Sequence, residues 1–223
     1  MSDTAIPTRP SPHGLEARIS ALVGKPLFWF TLVGLLALFP IVRALRHPVP
    51  APPALKLPLA SFALTDQRGH PFGLDDLKGR VWVADFVFLS CPTVCPKLTA
   101  RMAKIQHRAR NLGEAFHLVT FTVDPENDTP ARLASYATSY HADPTRWSFV
   151  TGPLGDVETT VVKGFKIAMG KEPLADGSSL FSIFHGEKLV LVDGQGFIRG
   201  YYDADDEGVD DLLSAADVLV NIR

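Results

Sequence analysis

Hydrophobic and polar positions fall in blocks along this chain, and the blocks change period. From Val81 to Leu89 almost every residue is β-branched, aromatic or otherwise apolar, with Asp85 the one charge. Such a run predicts a central strand buried on both faces. Leu98, Met102, Ile105 and Leu112 then recur at roughly helical spacing. They predict an amphipathic helix over 97–112, with Pro96 at its first position, where a missing N–H costs nothing. Phe116 to Val123 reads as a second strand. In the turn-rich stretch from Asp124 to Pro130, Asp128 or Thr129 can cap a helix running to about Tyr140. Trp147 to Val150 predicts a third strand and Asp156 to Gly164 a short helix, while 165–184 reads as irregular chain. Leu189–Asp193 and Phe197–Tyr202 flank Gly194-Gln195-Gly196, a hairpin signal, and a last helix covers about Val209 to Ile222. The acidic run from Asp203 to Asp211 reads as a solvated loop and helix start. Upstream, Phe62-Ala63-Leu64 and the stretch around Phe72 form a second hairpin across Asp66-Gln67-Arg68-Gly69. The order of elements predicts an α/β domain: a mixed sheet with helices on both faces.

The N-terminal pattern is different in kind. Residues 1–25 form a polar tail, expected to be disordered or a frayed helix. Pro26 to Val42 is a run without a charged residue. As a helix it would span about 26 Å against a hydrocarbon core of about 30 Å. Ala21–Gly24 can lengthen it, with Lys25 reaching back to the headgroups. Trp29 and the pair Arg43 and Arg46 suit interfacial anchors. We read 26–43 as a single transmembrane helix rather than a buried core helix. A cleaved signal peptide fits less well, because Pro52 follows Val49-Pro50-Ala51 directly and a 25-residue leader is long. Basic residues flank both ends, so charge does not orient the span. Residues 44–58 carry Pro48, Pro50, Pro52, Pro53 and Pro58. They predict an extended spacer of roughly 3.1 Å per residue, ahead of a domain covering 59–223.

Composition narrows the function classes. A net charge of −2 on 223 residues gives no electrostatic case for nucleic acid. Two cysteines are too few to staple a domain of this size. Cys91 and Cys95, four positions apart, stand where the central strand hands over to a helix, whose positive end favours thiolate. Two ionisable sulfurs there can exchange disulfides or hold a soft metal such as Cu(I). The spacing is not that of a two-residue thioredoxin-type redox motif. Nor is it a peroxiredoxin pattern, which has threonine three residues before the reactive cysteine; Phe88 and Pro92 hold those places here.

Two thiolates and one imidazole would serve Cu(I), and the chain has seven histidines. His13 and His47 lie outside the domain, His70 in a hairpin turn and His107 mid-helix, while His117 and His141 suit ordinary surface roles. His185 directly precedes the strand at 187–193. If that strand runs antiparallel to the central one, its start lies at the rim where Cys91 emerges; by position alone it is an ordinary loop residue. Asp124 and Asp128 read as caps or turns, since carboxylates suit harder metals. Asp85, if buried, needs a hydrogen-bond partner, for which a turn backbone is the expected source.

Several stretches together resemble the Sco/SenC family of membrane-anchored, thioredoxin-like copper proteins that serve cytochrome c oxidase assembly. They are Phe62-Ala63-Leu64-Thr65-Asp66 with Gly69, Cys91-Pro92-Thr93-Val94-Cys95-Pro96, Thr122-Val123-Asp124-Pro125 with Asp128-Thr129-Pro130, Trp147 with Thr151-Gly152, and His185 ahead of Leu189-Val190-Leu191-Val192-Asp193. The resemblance implies that Cys91, Cys95 and His185 bind one copper ion, Cu(I) or Cu(II). It also implies delivery to the oxidase subunit that carries the binuclear CuA site, with another copper carrier or a thiol reductant as further partners. A span in the inner (cytoplasmic) membrane would put residues 1–25 in the cytoplasm and the domain in the periplasm or its equivalent. Gly186-Glu187-Lys188 is more charged than the family pattern. A thiol-disulfide reductase acting on the oxidase cysteines remains the alternative.

Overall fold

The computed structural model describes residues 23–46, 52–167, 170–173, 179–182 and 188–222. The chain divides into two compact units, one up to Val49 and one from Pro50 onward. The first contains helix α1 (Pro26–Arg46), three residues longer than the expected span. Of its described side chains, Leu27, Phe30, Val33, Leu35, Leu36, Leu38 and Phe39 are each more than half exposed. Among the described residues, no helix is long and apolar enough to cross a membrane.

In the second unit the apolar run becomes strand β4 (Val81–Val87), buried at every position. The strands before it are β1 (Leu57–Pro58), β2 (Ala63–Asp66) and β3 (Pro71–Gly73). Those after it are β5 (Phe116–Thr122), β6 (Trp147–Thr151), β7 (Gly170–Pro173), β8 (Ser179–Ser182), β9 (Lys188–Val192) and β10 (Phe197–Asp203). Among the described residues the main sheet has the order β1-β10-β9-β4-β5-β6-β2-β3, and β7 pairs β8 separately. Strands β4, β5 and β6 are parallel, as their helical crossovers require. The remaining pairs are antiparallel, β9 against β4 included, with Trp82 opposite Val192 and Ala84 opposite Val190.

The pleat sorts β4 into two cores. Trp82 and Phe86 join Phe62, Phe121 and Phe165 in an aromatic cluster on one face. Asp85 and Thr120 point to the other face, under α2 (Val94–Arg108) and α3 (Pro130–Ser139). Phe149 meets Tyr136 of α3 there. Helix α5 (Asp206–Asn221) is bound to α2 through Arg101, Lys104 and Arg108, which pair with Asp206 and Asp210. The short α4 (Leu154–Glu158) leads through a π turn to Phe165 on the aromatic face.

Four expectations change. Helix α2 begins at Val94, ahead of Pro96, so Cys95 belongs to its first turn. It stops at Arg108 in a 3-10 segment that Gly113 breaks at φ +55. The stretch expected to be irregular contains β7 and β8. The folded unit also starts before Leu59: Leu57 pairs with Ile198, and Arg199, itself bonded to Asp193, donates to the carbonyls of Pro53 and Leu55. The end of the proline spacer is thus part of the sheet edge.

Candidate functional site at the cysteine rim

Parallel β4 and β5 end level, Val87 opposite Thr122, so the loops leaving them share one rim. The first carries the cysteines. Its chain turns through the bond from the Cys91 N–H to the Phe88 carbonyl, 3.2 Å. It then enters α2 with Thr93 as N-cap, whose side chain accepts no capping bond. A helix start leaves N–H groups without intrahelical acceptors. Here the Cys91 sulfur receives the Cys95 N–H at 3.4 Å.

The two sulfurs differ in acidity. Partial burial pushes the Cys91 thiol up, but bonds from the backbone of Cys95, Thr93 and Val94 and from the Cys95 thiol outweigh it, holding Cys91 below the ordinary thiol range. Burial pushes Cys95 far up; a bond from the Phe88 backbone offsets part, and the Cys91 sulfur and the Asp85 carboxylate add to the rise. The expectation that both thiols ionise readily therefore holds for Cys91 alone. Both are free thiols, Cys91 half-buried and Cys95 buried.

Helix α3 and its leading loop grip this segment from the side. Asp128, fully buried, accepts the Leu89 N–H at 3.0 Å and the Thr122 hydroxyl at 2.6 Å on one oxygen. Its other oxygen is buried with no hydrogen-bond partner among the described residues, the nearest ion partner being Arg132 at 3.9 Å. Further along, the Thr99 hydroxyl donates to the Cys95 carbonyl at 2.9 Å and lies 2.9 Å from the Tyr136 hydroxyl. Asp124 stays in its turn, accepting the Asn127 side-chain amide. Asp128 does not cap α3; Thr129 does, accepting the Arg132 N–H. Sequence reasoning placed Asp128 in the right loop and missed its target, because the strand register that brings Leu89 beside it leaves no local signature. Thr99 and Tyr136 carried no signal at all.

Asp85 lies beneath. It is fully buried and accepts the Thr120 hydroxyl at 2.6 Å; its second oxygen has no partner among the described residues. Burial raises its pKa to about 7. The expected turn-backbone partner is replaced by a hydroxyl on the adjacent strand, which also receives the Trp147 indole N–H.

The histidines separate. His117 is no surface residue: it is buried, 3.0 Å from the Ser148 hydroxyl, and burial followed by the Arg80 charge lowers its pKa to about 4, so it is neutral. His70, His107 and His141 are exposed. His13, His47 and His185 lie outside the described residues. The antiparallel register of β9 on β4 does send the first residue of β9, Lys188, toward the end of β4 that leads to Cys91. Among the described residues, no three His, Cys, Asp or Glu side chains gather into a metal-sized group. Chemically, the rim offers one thiolate-prone, partly exposed sulfur and one protected sulfur, donors that suit a soft monovalent metal or disulfide exchange.

Comparison with known proteins follows this geometry. The family model described as SCO1/SenC matches residues 53–219. A SCO1 protein homolog of Bacillus subtilis is 33% identical over 155 residues, 69% of this chain and 78% of its own. The structure of BsSco, a member of the Sco family of cytochrome c oxidase assembly proteins, is 30% identical at a TM-score of 0.66, covering 78% of this chain and 99% of that one. The structure of Bradyrhizobium japonicum ScoI with copper bound is 25% identical at a TM-score of 0.59, covering 70% and 97%. The fold is thus the thioredoxin-like α/β fold of the Sco structures.

Proposed function

This chain belongs to the SCO1/SenC family, and from that premise we propose that it is a copper metallochaperone for cytochrome c oxidase. It takes one copper ion on Cys91, Cys95 and His185 and passes it to the oxidase subunit bearing the CuA site. The supporting observation is the asymmetric sulfur pair at the start of α2. Helix N–H groups hold the pKa of the half-buried Cys91 below the ordinary thiol range, while burial raises that of Cys95. Copper is cargo here, so the site has to release it. Few soft ligands, one of them partly exposed, let an incoming partner ligand replace them one at a time. The relative with copper bound and the relative assigned to oxidase assembly support the metal and the destination. The antiparallel register of β9 supports the third ligand, since three residues of chain reach at most about 11 Å from Lys188.

The membrane anchor belongs to the same proposal. The exposed apolar side chains from Leu27 to Phe39 support it, as does the uncharged run to Val42. In this reading the helix lies in the inner (cytoplasmic) membrane and the domain works in the periplasm. Another copper carrier or a thiol reductant would load or reset the rim.

The same asymmetry favours a second reading, thiol-disulfide reduction of the oxidase cysteines. The Cys91 thiolate would attack a partner disulfide, releasing one partner thiolate and forming a mixed disulfide. Cys95, losing its proton, would then attack the Cys91 sulfur, forming the Cys91–Cys95 bond and releasing the second partner thiolate. His185 separates the readings. In anaerobic Cu(I) titration of the reduced protein, His185→Ala is expected to weaken copper binding sharply and leave dithiol oxidation intact. Unchanged copper affinity in that variant rejects the chaperone.

A further inference from the structure

We propose that Asp128 is a positioning residue for the cysteine rim: it latches the Leu89 N–H and so sets the path by which Cys91 reaches the start of α2. The inference rests on the copper-carrier reading for its purpose, but on hydrogen-bond geometry for its existence. Leu89 stands two residues before Cys91, in the turn where the Cys91 N–H bonds the Phe88 carbonyl. Nothing in β4 itself continues to hold this segment, because the strand ends at Val87. The last ladder bond is from the Val123 N–H to the Val87 carbonyl, at 2.9 Å. One step further, the same neighbouring loop supplies Asp128 in place of a backbone acceptor, 3.0 Å from the Leu89 nitrogen. A carboxylate makes a stronger acceptor than a carbonyl and reaches where the strand backbone has already diverged.

The position is costly, which argues that it is held for the rim and not for the loop that contains it. The backbone bonds that close the loop do not use this side chain. The Asn127 and Asp128 N–H groups both bond the Asp124 carbonyl, and Thr129 caps α3. Asp128 turns its side chain toward Leu89 and Thr122, leaves one oxygen buried with no hydrogen bond among the described residues and only Arg132 at 3.9 Å, and has its pKa raised by burial. A buried carboxylate oxygen without a hydrogen bond is destabilising, so its retention calls for a role elsewhere. Thr122 lies on the β5 side of this carboxylate: its hydroxyl donates to the same Asp128 oxygen and accepts the Asp124 N–H, contacts that add stability and do not reach Leu89. Helix α3 secures the other side of the motif through Tyr136, Thr99 and the Cys95 carbonyl. Leu89 and Cys95 are thereby tied to α3 and to the loop that leads into it, and Cys91 lies between the two ties.

The test uses the full-length reduced protein in detergent. Two readouts are taken: the rate of Cys91 alkylation by iodoacetamide at pH 7, and Cu(I) affinity by competition with a chromophoric chelator. Asp128→Ala is expected to lower both by about tenfold or more, the scale of a lost supporting residue at a metal site. Asp128→Asn keeps an acceptor oxygen at the same place and is expected to restore both to within about threefold. Thr122→Val removes the other bond to that oxygen without touching Leu89, and should leave both within the same threefold while lowering stability. In the wild type, the Leu89 amide should exchange about 100-fold or more slowly than in an unstructured chain. The latch is overturned if Asp128→Ala destabilises the protein with both readouts unchanged, or if Asp128→Asn loses as much as the alanine variant. If Asp128→Ala does not fold, the asparagine and valine variants decide: a loss of about tenfold or more in both readouts in either one rejects it. So does a freely exchanging Leu89 amide. Wild-type protein that takes no Cu(I) yet keeps the alkylation contrast removes the copper reading and leaves the latch standing.

Discussion

Two strand-to-helix connections lie side by side on one rim, and only one of them is finished in the ordinary way. After β5, Thr129 caps α3 with its hydroxyl, Pro130 takes the first helical position, and Asp124 closes the turn with Asn127. After β4, Thr93 offers α2 no side-chain cap, and the N–H that would use one turns to the Cys91 sulfur. The scaffold is the same in both, a parallel strand followed by a helix, with the strands ending level. The difference shows what a helix start is for when it is not merely capped: its donors become the means of stabilising a thiolate. The finished connection then lends its neighbour the contacts that the unfinished one lacks, through Asp128 to Leu89.

The severest way to break this contrast is to keep the cap and remove the soft ligand. In Cys91→Ser the hydroxyl oxygen can still accept the Cys95 N–H, so stability should stay within about 1 kcal/mol. Cu(I) affinity should fall by about 1,000-fold or more, equivalent to roughly 4 kcal/mol, because a hydroxyl is a poor ligand for a soft ion. Chelator competition alongside urea unfolding checks both halves. A variant that unfolds readily but still holds copper would mean that the sulfur is there for the fold.

A second test addresses the layer beneath both loops, where Asp85 meets Thr120. The folded-state pKa of Asp85 lies near 7 against an ordinary 3.8, so the folded protein keeps a proton that the unfolded chain has already lost. The stability this contributes is full below pH 3.8, declines as pH rises, and is gone above about 7. Three pKa units correspond to about 4 kcal/mol across that window. Asp85→Asn cannot ionise and should be about 2–4 kcal/mol more stable than wild type at pH 8, with little difference at pH 4. Parallel pH–stability curves for the two proteins would show that the carboxylate is not buried as described. The same substitution removes one of the contributions that push Cys95 up, so the gap between the two sulfurs should narrow.

Sequence and structure part company in an instructive place. The apolar run of β4, the two hairpins and the helix after Thr129 were legible because each is set by local period or by local turn residues. So was the pairing of Cys91 with a helix start. What could not be read is whatever depends on which strands are neighbours. Asp128 to Leu89 and Asp85 to Thr120 are contacts across the β4–β5 pair, and His117 is buried because β5 is central, with β4 and β6 on either side. The start of α2 was misread for a related reason: Pro96 is tolerated in a first turn wherever its nitrogen lacks an acceptor, and that covers three positions, not one. The unequal acidity of the cysteines follows from that shift, since Cys95 is inside the helix and under it.

The smallest expected effect completes the comparison from the other side. Thr129→Ala removes the cap that the finished connection has and the cysteine connection lacks. Loss of an N-cap hydroxyl costs about 1 kcal/mol. The backbone bonds of the Asn127 and Asp128 N–H groups to Asp124 do not involve that hydroxyl and should keep Asp128 aimed at Leu89. Urea unfolding should therefore register the loss, while Cys91 alkylation and Cu(I) affinity stay at wild-type values. If the cap's removal instead slowed alkylation in proportion to the stability lost, the two connections would be one cooperative unit. The cysteine rim would then be tuned by the general rigidity of α3, and Asp128 would have no separate part in it.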